Sequence, residues 1–168
     1  MQRRLILMRH AKSAWDTDAD SDHDRPLSKR GKRDAGRIAR ELQRLGWLPE
    51  RVYTSSARRA RRTWKRMAKA LDGEAAEIEV TPVDALYMAD LDDIRDEAAG
   101  WPPEARTVLV LGHNPGWEEA LHALTGGDDA MTTGNAALLV GSGHSWAEAL
   151  EGAWRQLALL RPRELDEG

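Results

Sequence analysis

The chain has 168 residues, 41% hydrophobic and 32% charged, enough for one soluble domain with a real core and incompatible with a disordered tail. Twenty-five Lys+Arg against 28 Asp+Glu leave a formal charge of −3, so no global field draws the protein to nucleic acid or to an anionic membrane. Cysteine is absent, which excludes disulfides, thiolate metal sites and cysteine nucleophiles.

Leu5 to Met8 form a short apolar run, too short for a signal-peptide core or a membrane span, and the expectation is a cytoplasmic protein. The run fits a strand buried on both faces, as does Thr107 to Leu111, and both read as central parallel strands. Between them, Ala35, Ile38, Ala39, Leu42 and Leu45 recur at helical spacing, with Ser28 placed to cap and Gly46 to stop. Arg51 to Thr54 suggests a shorter strand, followed by a helix with Ala60, Thr63, Trp64, Met67 and Leu71 on one stripe. Ile78 to Val80 reads as a further strand, Leu91 to Ala98 as a short helix and Trp117 to Leu124 as another helix. Ala136 to Val140 and Trp154 to Leu160 read as two strands around a Gly141-Ser142-Gly143-His144 turn. Strands and helices alternate without a long linker or repeat, so residues 1–168 are expected to form one α/β domain, with a mostly parallel central sheet between two helical layers.

Three of these strands run straight into polar residues: Met8 into Arg9-His10, Tyr53 into Thr54 and then Ser55 to Arg59, and Leu111 into Gly112-His113-Asn114. Open α/β sheets place ligands at the carboxyl ends of their strands, so two histidines and at least two arginines could converge there. Guanidinium groups match phosphate oxygens and stabilise a transferring phosphoryl group without a metal, and a neutral imidazole held in one tautomer can attack phosphorus.

The segment Leu7-Met8-Arg9-His10-Ala11-Lys12-Ser13 resembles the Arg-His-Gly signature of the histidine phosphatase superfamily, with Ala11 in place of Gly. Asp16 falls where many members carry Asn, and Leu27 to Ala35 resembles the next family helix. Ser55-Ser56-Ala57-Arg58-Arg59-Ala60-x-x-Thr63 resembles the family's Ser-x-x-x-Arg-Ala-x-x-Thr segment, and Gly112-His113-Asn114-Pro115 its second-histidine loop. The matches are collinear to about Gly134, and the compact length points to the SixA-type phosphohistidine phosphatase branch. The resemblance implies the phosphoglycerate-mutase-like fold, with catalytic His10, His113, Arg9 and Arg59, and with Arg58 as the alternative pocket arginine. Asp16 and Asn114 would assist in binding or in orienting the site. It also implies no cofactor and no metal, a phosphorylated protein or small phosphorylated metabolite as partner, and a monomer or weak dimer.

One departure bears on the substrate. Larger members carry an acid after the middle strand, but Asp84-Ala85-Leu86-Tyr87-Met88 puts Met88 there, leaving Asp84 as the candidate general acid. A missing acid hurts alkyl phosphate hydrolysis more than cleavage of a P–N bond to a protonated imidazole, which favours phosphohistidine. The rivals are a small-molecule phosphomonoesterase and a non-catalytic phosphate-binding module. The acidic stretch Asp16 to Asp24 lacks the Gly and Glu of a calcium loop and reads as a solvated rim. Arg58, Arg61, Arg62, Lys65, Arg66 and Lys69 read as the solvent side of a helix that could also steer an acidic phosphoprotein. Trp15 and Trp117 flank the two histidine segments and are expected to wall the pocket, whereas His144 is assigned to a turn and His122 to the surface.

Overall fold

A computed structural model of the protein describes residues 1–15 and 18–165. Its elements are β1 (Gln2–Arg9), α1 (Lys29–Leu45), β2 (Arg51–Ser55), α2 (Arg58–Leu71), β3 (Glu79–Val83), α3 (Leu91–Ala98), β4 (Thr107–Gly112), α4 (Gly116–Thr125), β5 (Ala136–Ser142), α5 (Trp146–Glu151) and β6 (Arg155–Leu160). They build one six-stranded sheet in the order β3-β2-β4-β1-β5-β6, in which β3, β2, β4 and β1 are mutually parallel, β5 is antiparallel to β1, and β6 is antiparallel to β5.

The apolar runs explain the layering. Successive strand side chains face opposite sides, so a wholly apolar strand must be covered twice. Leu5 and Leu7 of β1 and Val108 and Val110 of β4 enter one core, shared with Ile94 of α3, Leu121 of α4 and Trp146 of α5. Ile6 and Met8, with Leu109 and Leu111, enter the other, shared with Ile38 and Leu42 of α1 and Trp64 and Met67 of α2. The result is a three-layer α/β/α arrangement with a mostly parallel sheet.

Ser28 caps α1 by accepting from the Gly31 amide at 3.0 Å, a contribution of about 1 kcal/mol, and Gly46 ends it at φ +74°. The same capping turn grips the loop after β1, since the Ser28 amide and hydroxyl both donate to the Lys12 carbonyl, at 2.9 and 3.0 Å. Gly31 sits against that carbonyl so closely that a Cβ would overlap it.

Two expectations are corrected. The expected Gly141 to His144 turn does not join β5 directly to β6, because α5 intervenes; its Ser145 cap accepts from Glu148 N, and Trp146 packs into the core. Trp117 does not wall a pocket: it is fully buried, with its indole against Gly112, where any Cβ would collide with the ring.

Candidate active site

The carboxyl ends of three parallel strands lie level, with Arg9 of β1 opposite Gly112 of β4 and Thr54 of β2 opposite Leu111. Each chain then turns off the sheet edge and delivers a polar side chain to one cleft of about 430 Å³, whose lining includes Arg9, His10, Arg59, His113 and Asn114. The two imidazole centroids are 5.1 Å apart.

His10 is 7% exposed and its ring is held on both sides. Its Nδ1 lies 2.7 Å from the Ala11 carbonyl, which can only accept, so the proton sits on Nδ1 and Nε2 carries a lone pair. That lone pair faces Arg59 Nε at 3.4 Å. The Ala11 carbonyl is itself positioned from α2: Thr63 Oγ1 accepts from the Ala11 amide at 3.0 Å and donates to the Arg59 carbonyl at 2.7 Å.

His113 takes the opposite tautomer. Arg59 Nη2 donates to its Nδ1 at 3.3 Å, so the ring proton lies on Nε2 and points to Ser55 Oγ at 2.7 Å. Burial pushes His10 down to about 4, aided by the charges of Arg59, Arg9 and Arg25 and opposed by the Ala11 hydrogen bond. Burial, then His10 and Arg59, push His113 down to about 3. Both rings are neutral at pH 7.

Arg9 donates Nη1 to the Met131 carbonyl at 3.0 Å, while its buried Nε has no partner among the described residues. Burial lowers its pKa, and Glu118 opposes the shift. Arg59 is 4% exposed and bridges both histidines.

Residues 5–97 match the histidine phosphatase superfamily (branch 1). The chain belongs to that superfamily. An uncharacterized chloroplastic protein of Arabidopsis thaliana is 40% identical over 174 residues, covering 96% of this chain and 79% of the relative. An uncharacterized protein of Mycobacterium tuberculosis is 33% identical, covering 93% and 100%. Among solved structures, the SixA protein of Nakamurella multipartitia superposes with a TM-score of 0.80 at 28% identity, over 96% of this chain and 97% of that one. The protein histidine phosphatase SixA complexed with tungstate gives 0.78 at 25%, over 99% and 100%. The protein is thus a phosphatase of SixA type with the phosphoglycerate-mutase-like fold. No described helix is long and apolar enough to cross a membrane.

Within this histidine phosphatase, His10, His113, Arg9 and Arg59 come together, whereas the other expected residues divide. Arg58 does not line the cleft: one residue along α2 it turns outward, toward a separate groove. Asp84 is exposed in a 3₁₀ turn (Asp84–Leu86) away from the cleft, whereas Met88 lines it, with φ +52°. Asn114 reaches the cleft, but its amide donates to Met131 O and Glu118 Oε2 and accepts from Glu118 N, so it braces the start of α4. Asp16 lies outside the described residues. Trp15 lines the cleft rim, 78% exposed, with Arg25 stacked 3.4 Å over its ring.

The acidic rim holds a residue the sequence did not single out. Asp22, in a 3₁₀ turn (Asp22–Asp24), accepts from Arg59 Nη2 and Tyr87 Oη through Oδ2 at 3.0 and 2.5 Å, and from Arg25 through Oδ1 at 2.9 Å. The Tyr87 hydrogen bond, with Arg25 and Arg59, holds its carboxyl down at about 2. Tyr87 also meets the His113 ring edge-on at 5.4 Å. Nothing in an Asp- and Ser-rich loop separates Asp22 from its neighbours, since the contact depends on where the loop crosses α2.

Proposed function

We propose that the protein removes phosphate from phosphohistidine on a protein, without a metal, through a phosphorylated His10. The His10 Nε2 lone pair attacks phosphorus, and the P–N bond to the substrate imidazole breaks, its electron pair leaving with that imidazole. Water then attacks phosphorus, the P–Nε2 bond of His10 breaks, and inorganic phosphate departs with the ring neutral again. The unpartnered Arg9 Nε and the Arg59 guanidinium supply the donors for the phosphoryl oxygens, doing electrostatically what a metal does elsewhere. His113, neutral and anchored on Ser55, holds Arg59 in place. The tungstate bound by the SixA relative is a tetrahedral oxyanion of the same class as phosphate.

The observation that carries the choice of substrate is that none of the described cleft residues is a carboxylic acid protonated near neutral pH that could serve a leaving alkoxide. Met88 stands in the cleft, Asp84 lies away from it, and Asp22 is ionised far below neutrality. A phosphoramidate whose imidazole is already protonated departs without such help. The test is the initial rate of phosphate release, with EDTA present, from a phosphohistidine protein and from a panel of sugar and nucleotide phosphates. The phosphohistidine protein is expected to be cleaved far faster, and the reverse order would replace this reading with a small-molecule phosphomonoesterase.

A further inference from the structure

Beside the catalytic cleft, a pair of concavities lies between α1 and α2. Two adjoining cavities of about 710 and 570 Å³ share Lys32, Arg66 and Lys69 and form a continuous groove. Arg58, Arg62, Lys65 and Lys69 recur at helical spacing along α2 on one wall, and α1 adds Lys32, Arg33 and Arg40. Asp72 is the single carboxylate among the described lining residues. Lys32, Arg33, Arg62, Lys65, Arg66 and Lys69 have no carboxylate within 4.0 Å among the described residues. Such a concentration of unneutralised cations on a chain of net charge −3 is a local field, and it is repulsive until an anionic partner fills it.

The floor of the groove narrows the partner. It is apolar and aliphatic, formed by Pro26, Leu27, Ala68, Ala75 and Ala76, and the described lining residues include no aromatic side chain on which a base could stack. Basic walls over an aliphatic floor match a protein segment that alternates acidic with small apolar side chains. The groove also abuts the cleft along the chain: Arg25 lines the cleft and Pro26 the groove, and Arg59 lines the cleft where Arg58 lines the groove. A protein offering a phosphorylated side chain to His10 would lay its neighbouring surface there.

We infer that the α1–α2 groove docks an acidic segment of the protein substrate beside its phosphorylated residue. This inference rests on the phosphoprotein reading above, and it names what that substrate must carry next to the phosphoryl group. Arg62, Lys65 and Lys69 are exposed and take no part in the cleft, so they can be reversed without touching the chemistry.

The test has a binding arm and a kinetic arm, each run on the wild type and on the Arg62→Glu/Lys65→Glu/Lys69→Glu variant, with the triple Gln variant as a milder version. Binding is read by fluorescence anisotropy of a labelled peptide of repeated Glu-Glu-Leu-Ala blocks, against a labelled single-stranded oligothymidylate of equal charge. The wild type is expected to prefer the peptide, with an affinity that falls as salt is raised, and the Glu variant to lose about tenfold or more. Peptide binding that is absent, or equal in the variants, would overturn the proposal, and tighter binding of the oligonucleotide would assign the groove to nucleic acid instead. In the kinetic arm, KM for an acidic phosphohistidine protein should rise about tenfold in the variants, with kcat and the rate on free phosphohistidine unchanged. An unchanged KM would also overturn the proposal. A wild type that binds the peptide but turns over no phosphohistidine substrate would sink the phosphatase reading and leave the acidic dock standing.

Discussion

Arg59 and Asp22 form a salt bridge at the mouth of the cleft, with Nη2 3.0 Å from Oδ2 and Nη1 donating to the Asp22 carbonyl at 2.7 Å. The guanidinium assigned to the phosphoryl oxygens is therefore engaged by a carboxylate, and an incoming phosphate competes with it. Replacing the carboxylate by an amide keeps the shape and removes the competing charge. Asp22→Asn should tighten inhibition by inorganic phosphate and lower KM by about threefold, the scale of a half-exposed ion pair. A raised KM would show instead that Asp22 serves chiefly to aim Arg59.

The two arginines that the sequence left as alternatives should separate cleanly. Arg59→Ala removes the group bridging both histidines, and kcat/KM on a small substrate should fall on the order of a hundredfold to a thousandfold. Arg58→Ala, outside the cleft, should leave that rate within about twofold, because its side chain contributes nothing to the transition state. Steady-state rates on free phosphohistidine make the comparison without interference from docking.

Thr63 acts on His10 through the Ala11 peptide. Thr63→Val leaves the buried Ala11 amide without its acceptor, at a cost of about 1–3 kcal/mol, and frees the loop that fixes the nucleophile. The expected result is a fall in kcat of about tenfold or more with KM little changed, restored by Thr63→Ser. A purely structural role would lower the melting temperature and leave the kcat of the folded fraction intact.

The buried imidazoles give the protein a characteristic acid response. Both are held below the ordinary 6.5, so between about 6.5 and 4 the unfolded chain binds more protons than the folded one. Stability is thus full above pH 6.5 and declines as the pH falls through that window. His10, the proposed nucleophile, stays neutral down to about pH 4, so the acid limb of kcat/KM that it sets should bend there rather than near 6.5. Chemical denaturation across the range and short-time initial rates test the two halves, and a bend near 6.5 would contradict the assigned environment.

What the sequence made legible follows from periodicity. Leu5 to Met8 and Val108 to Leu111 are apolar at every position because both sheet faces are covered, and that pattern places His10 and His113 at the same edge. Ser28 and Gly46 mark α1 because capping chemistry is local. Contacts set by loop trajectories were not legible. Asp22 reads as one acid among many until the rim crosses α2, and Trp117 follows His113 by four residues but packs against Gly112 in the core. α5 is six residues long, and the glycines before it carry a stronger turn signal than its own pattern carries for a helix.

Whether His10 carries the phosphoryl group is measured directly by rapid-mix trapping with radiolabelled phosphohistidine protein. An alkaline quench preserves a histidine phosphoramidate, and peptide mapping locates the label. Label is expected on His10 in the wild type, with both label and turnover absent from a folded His10→Ala. Normal phosphate release by His10→Ala, or label on any other residue, would contradict it.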